Sequence, residues 1–346
     1  MHILVLGGTR FIGLYAVRRL VVMGHKVAVF HRGQTEAALP PSVRHVHGDR
    51  ERLTEFVNDF LRFAPEVVLD MVPATERDGK ALVSLFRGVA RRVLVISSCD
   101  VYRAYDRFRC VDPGPPDPTP LTENSPLRDR LFPYRARAQG PDDFLFHYEK
   151  ILVERAVMSE PDLPATILRL PMVYGPGDYQ HRLFHYLKRM DDKRPTLLLS
   201  KGVAAWRGLR GYVEDLGEAI ALCIAHDRAA GRIYHVADPT SLTEAEWVRG
   251  LARAAEWNGE IVILPDEHLP PHLRHDYDIS QDWSLDSSRI RRELGYTEPT
   301  PPDEAMRRSV AWERANPPKD FDPAEFDYTA EDAALAAHNK LIESLP

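Results

Sequence analysis

Five apolar runs, HILVL (2–6), KVAVF (26–30), VRHV (43–46), EVVLDMV (66–72) and RVLVIS (92–97), alternate with helix-like stretches. Parallel strands buried on both faces read as such near-continuous apolar runs, because each return to the sheet crosses over through a helix. The expected class is therefore α/β: a doubly wound parallel sheet with helices on both faces. The alternation breaks at residues 100–141, which contain PGPPDPTP, SP, FP and GP, and resumes with a helix expected near 142–158 and a strand ATILRL at 165–170. Beyond that the pattern becomes α+β. It includes an amphipathic helix over 213–226, a capping-box pair Thr243 and Glu246, and a helix stop at Gly295.

At 346 residues the chain is long enough for two unequal lobes. The boundaries read as 1–175 for the sheet domain, with segments from about 205–240 returning to it, 176–315 for a smaller α+β lobe, and 316–346 for an acidic, Ala-rich tail expected to be a loosely attached helix. The net charge of −6 and pI of about 6.2 give no overall field for nucleic acid or an anionic membrane. The three cysteines, Cys99, Cys110 and Cys223, form no CxxC pair. Neither a disulfide framework nor a Cys-rich metal site is expected, and a reducing cytoplasm fits best. No leader and no apolar run of membrane-spanning length is read, so the expected partner is a small molecule.

The chemistry starts at residues 7–13. HILVL runs into Gly7-Gly8-Thr9-Arg10-Phe11-Ile12-Gly13 and then into the helical pattern LYAVRRLVVMG. In a strand–turn–helix of this kind the free N–H groups and the helix dipole favour a pyrophosphate, provided glycines let the backbone come close. The turn therefore predicts a Rossmann-type dinucleotide site.

GGTRFIG resembles the TGxxGxxG turn of the extended short-chain dehydrogenases of the NAD-dependent epimerase/dehydratase family, with Gly7, Arg10 and Gly13 at the three glycine positions. Arg10 is a departure. The string is also similar to epimerase-like proteins that include a chloroplast stem-loop RNA-binding group. The resemblance continues in order through ISSCDVY (96–102), KILVE (150–154), RLPMVYGPGD (169–178), GYVEDLGEAI (211–220) and IRRELGY (290–296). It implies a nicotinamide cofactor and a nucleotide sugar or related polyhydroxylated substrate. A homodimer is the candidate assembly.

NAD-selective members of the family carry an acid at the end of the second strand, where this chain has His31 followed by Arg32. Arg10 and Arg32 are suited to a ribose 2′-phosphate, which leans the expectation toward NADP over NAD. Asp49 matches the family position facing the adenine, and a helix-capping role competes for it. The resemblance also implies a Ser, Tyr and Lys set, the last two as YxxxK on one helix face. Ser98 and Lys150 match, but Phe146 stands four residues before the lysine. Tyr148, two residues from Lys150, points away if the helix is regular. Three readings remain: the backbone at Tyr148 is not helical, Tyr102 or Tyr134 serves instead, or the chain binds a dinucleotide without redox turnover, as a sensor, scaffold or RNA binder. Cys99 and Asp100 fall where the resembling dehydratases carry two carboxylates, and only one is present here.

The resemblance further assigns Tyr102, Arg207 and Arg210 to the substrate, the arginines on its phosphates. No metal site is assigned: His181 and His185 have ligand spacing without a third partner. The stretch with His268, His272 and His275, and the basic run at Arg128, Arg130, Arg135 and Arg137, read as solvated loops, which leaves nucleic acid a poor fit.

Overall fold

The computed structural model describes residues 1–35 and 38–344. The apolar runs become β1 (His2–Leu6), β2 (Lys26–His31), β3 (Arg44–His47), β4 (Val67–Asp70) and β5 (Arg92–Ser98), joined by β6 (Ala165–Leu170). Four short strands follow: β7 (Met172–Tyr174), β8 (Thr196–Ser200), β9 (Arg210–Tyr212) and β10 (Ile233–His235). The last is β11 (Glu260–Leu264). The main sheet has the order β10-β6-β5-β4-β1-β2-β3 and is parallel throughout. Its last strand, β10, comes from the segment expected to return to it. Two small parallel pairs, β8 with β11 and β7 with β9, stand apart from it.

Both sheet faces are covered, as alternate strand residues require. Ile3, Val5, Val27 and Val29 pack against Ala16, Val17 and Leu20 of helix Phe11–Val22 and against Ile220 of helix Val213–Ala225. Leu4, Leu6, Ala28 and Phe30 face Leu82 and Phe86 of helix Glu76–Phe86 and Val153 and Val157 of helix Lys150–Met158. The capping box at Thr243 and Glu246 forms, and Gly295 ends its helix at φ +72°.

Two expectations change. The helix expected over 142–158 is two pieces, Phe144–His147 and Lys150–Met158, with Tyr148 (ψ 119°) and Glu149 (φ −160°, ψ 98°) extended between them. The C-terminal segment is helical over Tyr328–Glu343 but firmly docked. Arg189, from helix Phe184–Asp191, donates to Glu331 at 2.7 Å, and both side chains are 2% exposed. The stretch read as a solvated histidine loop lies under this helix, with His272 facing Glu331 at 3.2 Å and His268 facing His338 at 3.0 Å. Residues 345 and 346 of the tail lie outside the described residues.

Removing one partner of a buried ion pair leaves an uncompensated charge. Glu331→Ala is therefore expected to lower stability by about 3–5 kcal/mol in urea unfolding. A loss under about 1 kcal/mol, the range of a surface pair, would show that the tail is not held through Arg189.

Candidate active site

At the carboxyl end of β1, Gly7 and Gly8 have φ of +93° and +94°, a region that side-chain-bearing residues avoid. Gly13 lies against this turn: a Cβ there would stand 2.4 Å from the Gly8 Cα. Thr9, Arg10, Phe11 and Ile12 carry the chain between these contacts, Phe11 with φ +44°. Helix Phe11–Val22 begins with no acid in its first turn and no side-chain cap from Arg10, so its first N–H groups are available to an anion. Val72, beside Gly7, is exposed, as is Tyr179, whose ring packs on Phe11. A cradle of N–H groups beside bare apolar surface fits a dinucleotide.

Around the end of β2, Arg10 Nε donates to Thr35 Oγ1 at 2.7 Å, and Arg32 is exposed three residues before Thr35. The two cations thus border one loop. Asp49 caps the turn after β3, accepting the Glu51 N–H at 3.0 Å, so the capping role is the one occupied. The neighbouring Arg50 was not singled out from sequence. It grips the fully buried Asp70 with two bonds, of 2.6 and 2.5 Å, and reaches Asp78 at 2.9 Å, which ties the ends of β3 and β4 together.

The extended backbone at Tyr148 decides the centre of the site. Tyr148 OH donates to Asp100 Oδ2 at 3.0 Å, and Tyr134 OH donates to the same oxygen at 2.9 Å. Ser98, at the end of β5, accepts the Asp100 N–H at 3.2 Å and faces Tyr148. Asp100 is 3% exposed, and its Oδ1 has no partner. Burial raises the Asp100 carboxyl above the usual carboxylate range, with Arg128 opposing the rise. Burial, and then the Asp100 charge, push Tyr148 well above an ordinary phenol.

Lys150 lies 5.8 Å from the centre of the Tyr148 ring and donates to the carbonyls of Ile96, at 2.9 Å, and Pro73. Its burial lowers it to about 8, with Asp100 opposing. Phe146 is turned elsewhere, with the Arg135 guanidinium over its ring at 4.8 Å.

Other assignments separate from this cluster. Tyr102 is fully buried, and its hydroxyl binds His235 and accepts from Arg169 Nη1 at 2.7 Å; it belongs to a core network with Glu154 and not to a substrate surface. Arg128 is buried rather than solvated, paired with Glu149 at 3.0 Å. Arg207 donates to the Ser241 carbonyl at 2.6 Å. Arg210 pairs with Glu244 at 2.5 Å, over the Trp247 ring, and its buried Nη1 has no partner. Arg210, Asp238, Thr240 and Ser241 line one small cavity. His181 pairs with Glu313 at 2.7 Å, which accounts for it without a metal.

The NAD dependent epimerase/dehydratase family matches residues 3–237. This chain belongs to that family. Among its relatives, 2'-dehydrokanamycin reductase of Streptomyces kanamyceticus is 28% identical over 244 residues, 68% of this chain and 62% of that protein. The chloroplast stem-loop binding protein of 41 kDa b of Arabidopsis thaliana is 25% identical over 268 residues, 73% of this chain and 61% of that protein. The matched stretches thus span under two thirds of either relative. In fold, the chain is similar to the UDP-glucose 4-epimerase of Thermotoga maritima solved with UDP-glucose. The TM-score is 0.66 and the identity 18%, covering 91% of this chain and 99% of that one. No helix among the described residues is long and apolar enough to cross a membrane.

Within this epimerase/dehydratase chain, Lys150 offers a direct check on the site's electrostatics. A lysine lowered from 10.5 to about 8 binds fewer protons folded than unfolded between those values, so its contribution to stability rises with pH across that window. Wild type is expected to gain on Lys150→Met, by on the order of 3 kcal/mol, between pH 7 and pH 10.5 in urea unfolding. A constant gap would mean that the folded lysine keeps its ordinary affinity for the proton.

Proposed function

We propose that this chain is an NAD(P)-dependent oxidoreductase or epimerase acting on a nucleotide sugar or related polyhydroxylated compound, with Tyr148 as its proton carrier. The carrying observation is the Tyr148 hydroxyl, 3.0 Å from Asp100 Oδ2 and facing Ser98 at the carboxyl end of the sheet. Relatives named as dTDP-glucose 4,6-dehydratases and a 2'-dehydrokanamycin reductase support a sugar-derived substrate.

The Gly7 to Gly13 turn would hold the dinucleotide, which would supply the hydride donor or acceptor. Ser98 and Tyr148 hold the substrate oxygen. When a hydroxyl is oxidised, its proton passes to the Tyr148 oxygen as the Tyr148 proton moves to Asp100 Oδ2; carbonyl reduction reverses both transfers. Lys150 positions the strand ends through the Pro73 and Ile96 carbonyls. The unpaired Arg210 Nη1 is the donor available to a substrate phosphate.

The test is a panel of nucleotide sugars with both cofactors, read by NMR for product. On a confirmed substrate, Tyr148→Phe is expected to cut turnover about 10²–10⁴-fold, the usual contribution of a general acid–base group. Phe146→Tyr should leave it unchanged, because that side chain lies under Arg135. Wild-type turnover in Tyr148→Phe would remove the assignment. Cofactor binding with no product across the panel would favour a non-redox dinucleotide-binding protein.

Arg10 and Arg32 beside His31, with no acid at that place, favour NADP over NAD. In calorimetric titrations Arg32→Ala is expected to weaken NADP more than NAD, and equal weakening would refute a 2′-phosphate role for this arginine.

A further inference from the structure

At the edge of the main sheet, three imidazoles share one face. β3 is the outermost strand, and His45 and His47, two residues apart, project to the same side. The β2–β3 register places His31 opposite His47. Val46, pointing the other way, is buried with Phe30. The His31 ring centre is 4.8 Å from that of His47 and 5.0 Å from that of His45. His31 Nε2 and His45 Nδ1 lie 2.8 Å apart, within hydrogen-bond distance. One nitrogen from each of the three rings falls within 4.8 Å of the others.

We propose that His31, His45 and His47 form a binding site for a first-row divalent ion of the zinc class, with its fourth position open to water. Imidazole suits zinc, copper and nickel, and three histidines with one open position make a tetrahedral set. Metal–nitrogen bonds of about 2.0–2.1 Å place the donor atoms about 3.3 Å apart. The His31–His45 pair must therefore open slightly and His47 move inward. His45 and His47 are exposed, so ring rotation suffices. Ligation through Nε2 puts the His31 proton on Nδ1, and the 3.2 Å contact from Gly33 N–H to that atom opens as the metal enters.

Among the described residues none of the three pairs with a carboxylate, so no ion pair holds these rings away from a metal. A divalent ion replaces the His31–His45 hydrogen bond and joins one lone pair from each of the three rings. The strands set the arrangement from the backbone outward, independently of Tyr148 and Asp100.

The experiment is a titration of the chelator-treated full chain with Co²⁺, followed by visible absorption. Wild type is expected to bind one equivalent with the intense bands of tetrahedral cobalt, and Zn²⁺ to displace it. The His45→Asn/His47→Asn double variant should lose those bands. Its affinity should fall by more than the ~10–100-fold that loss of an outer-shell partner costs. Circular dichroism and dinucleotide titration check that the variant is folded. Weak octahedral absorption in wild type, or equal binding by wild type and the folded double variant, would overturn the site.

Discussion

Glu149 is buried with three residues donating to its carboxylate: Arg128 through Nη2 at 3.0 Å and Nη1 at 3.4 Å, the Phe132 N–H at 2.6 Å and the Ile151 N–H at 2.9 Å. Its own N–H donates to the Ala74 carbonyl at 2.8 Å. A charge sealed from water needs such a complete set, because leaving it unpaired costs several kcal/mol. Satisfying Glu149 makes it the cap of helix Lys150–Met158, so Glu149 is not helical, and Tyr148 before it is extended as well. Arg128 binds the Asp100 carbonyl through Nε as well as Glu149. One buried guanidinium thereby fixes the turn that carries Asp100 and the helix start that delivers Tyr148 to it. The Pro-rich segment supplies that guanidinium, which is why so long a connection packs as ordered structure beside the site.

Much of the sheet was legible in the sequence, because β-strands buried on both faces leave an apolar run and little else satisfies one. HILVL and ATILRL match β1 and β6 residue for residue, while VRHV is offset by one from β3, an exposed edge strand with a single buried residue. The glycine turn was legible for a similar reason: Gly8 and Gly13 touch, and no other residue fits between them. What could not be read was set by partners distant in sequence. Helical periodicity through residues 142–158 gives no sign of a break that depends on Arg128. Tyr102 reads as a substrate residue and Arg128 as a solvated one until Arg169, His235 and Glu149 are seen to bury them. The three imidazoles of β2 and β3 meet only through strand register, and His45 and His47, two residues apart at the end of the third apolar run, were the one available sign.

The family pattern uses a lysine four residues after the tyrosine to stabilise a phenolate. In this chain the ammonium of Lys150 is spent on two backbone carbonyls, and the Tyr148 hydroxyl donates to a carboxylate. The two neighbours act in opposite directions. A cation lowers the phenol and an anion raises it, and here burial and Asp100 dominate. Tyr148 is therefore held in its protonated form, and a standing phenolate is disfavoured. A protonated tyrosine still moves protons if its hydrogen can leave as another arrives. Asp100 meets that condition, because the same burial that raises Tyr148 also raises the carboxyl and makes it a better acceptor. Under the proposed function, losing the tyrosine at position 146 changes the proton carrier from a phenolate maintained by lysine to a hydroxyl relayed by aspartate. Tyr148 and Asp100 then have to be considered together, since a tyrosine held protonated takes up a substrate proton only as it passes its own to the carboxylate behind it.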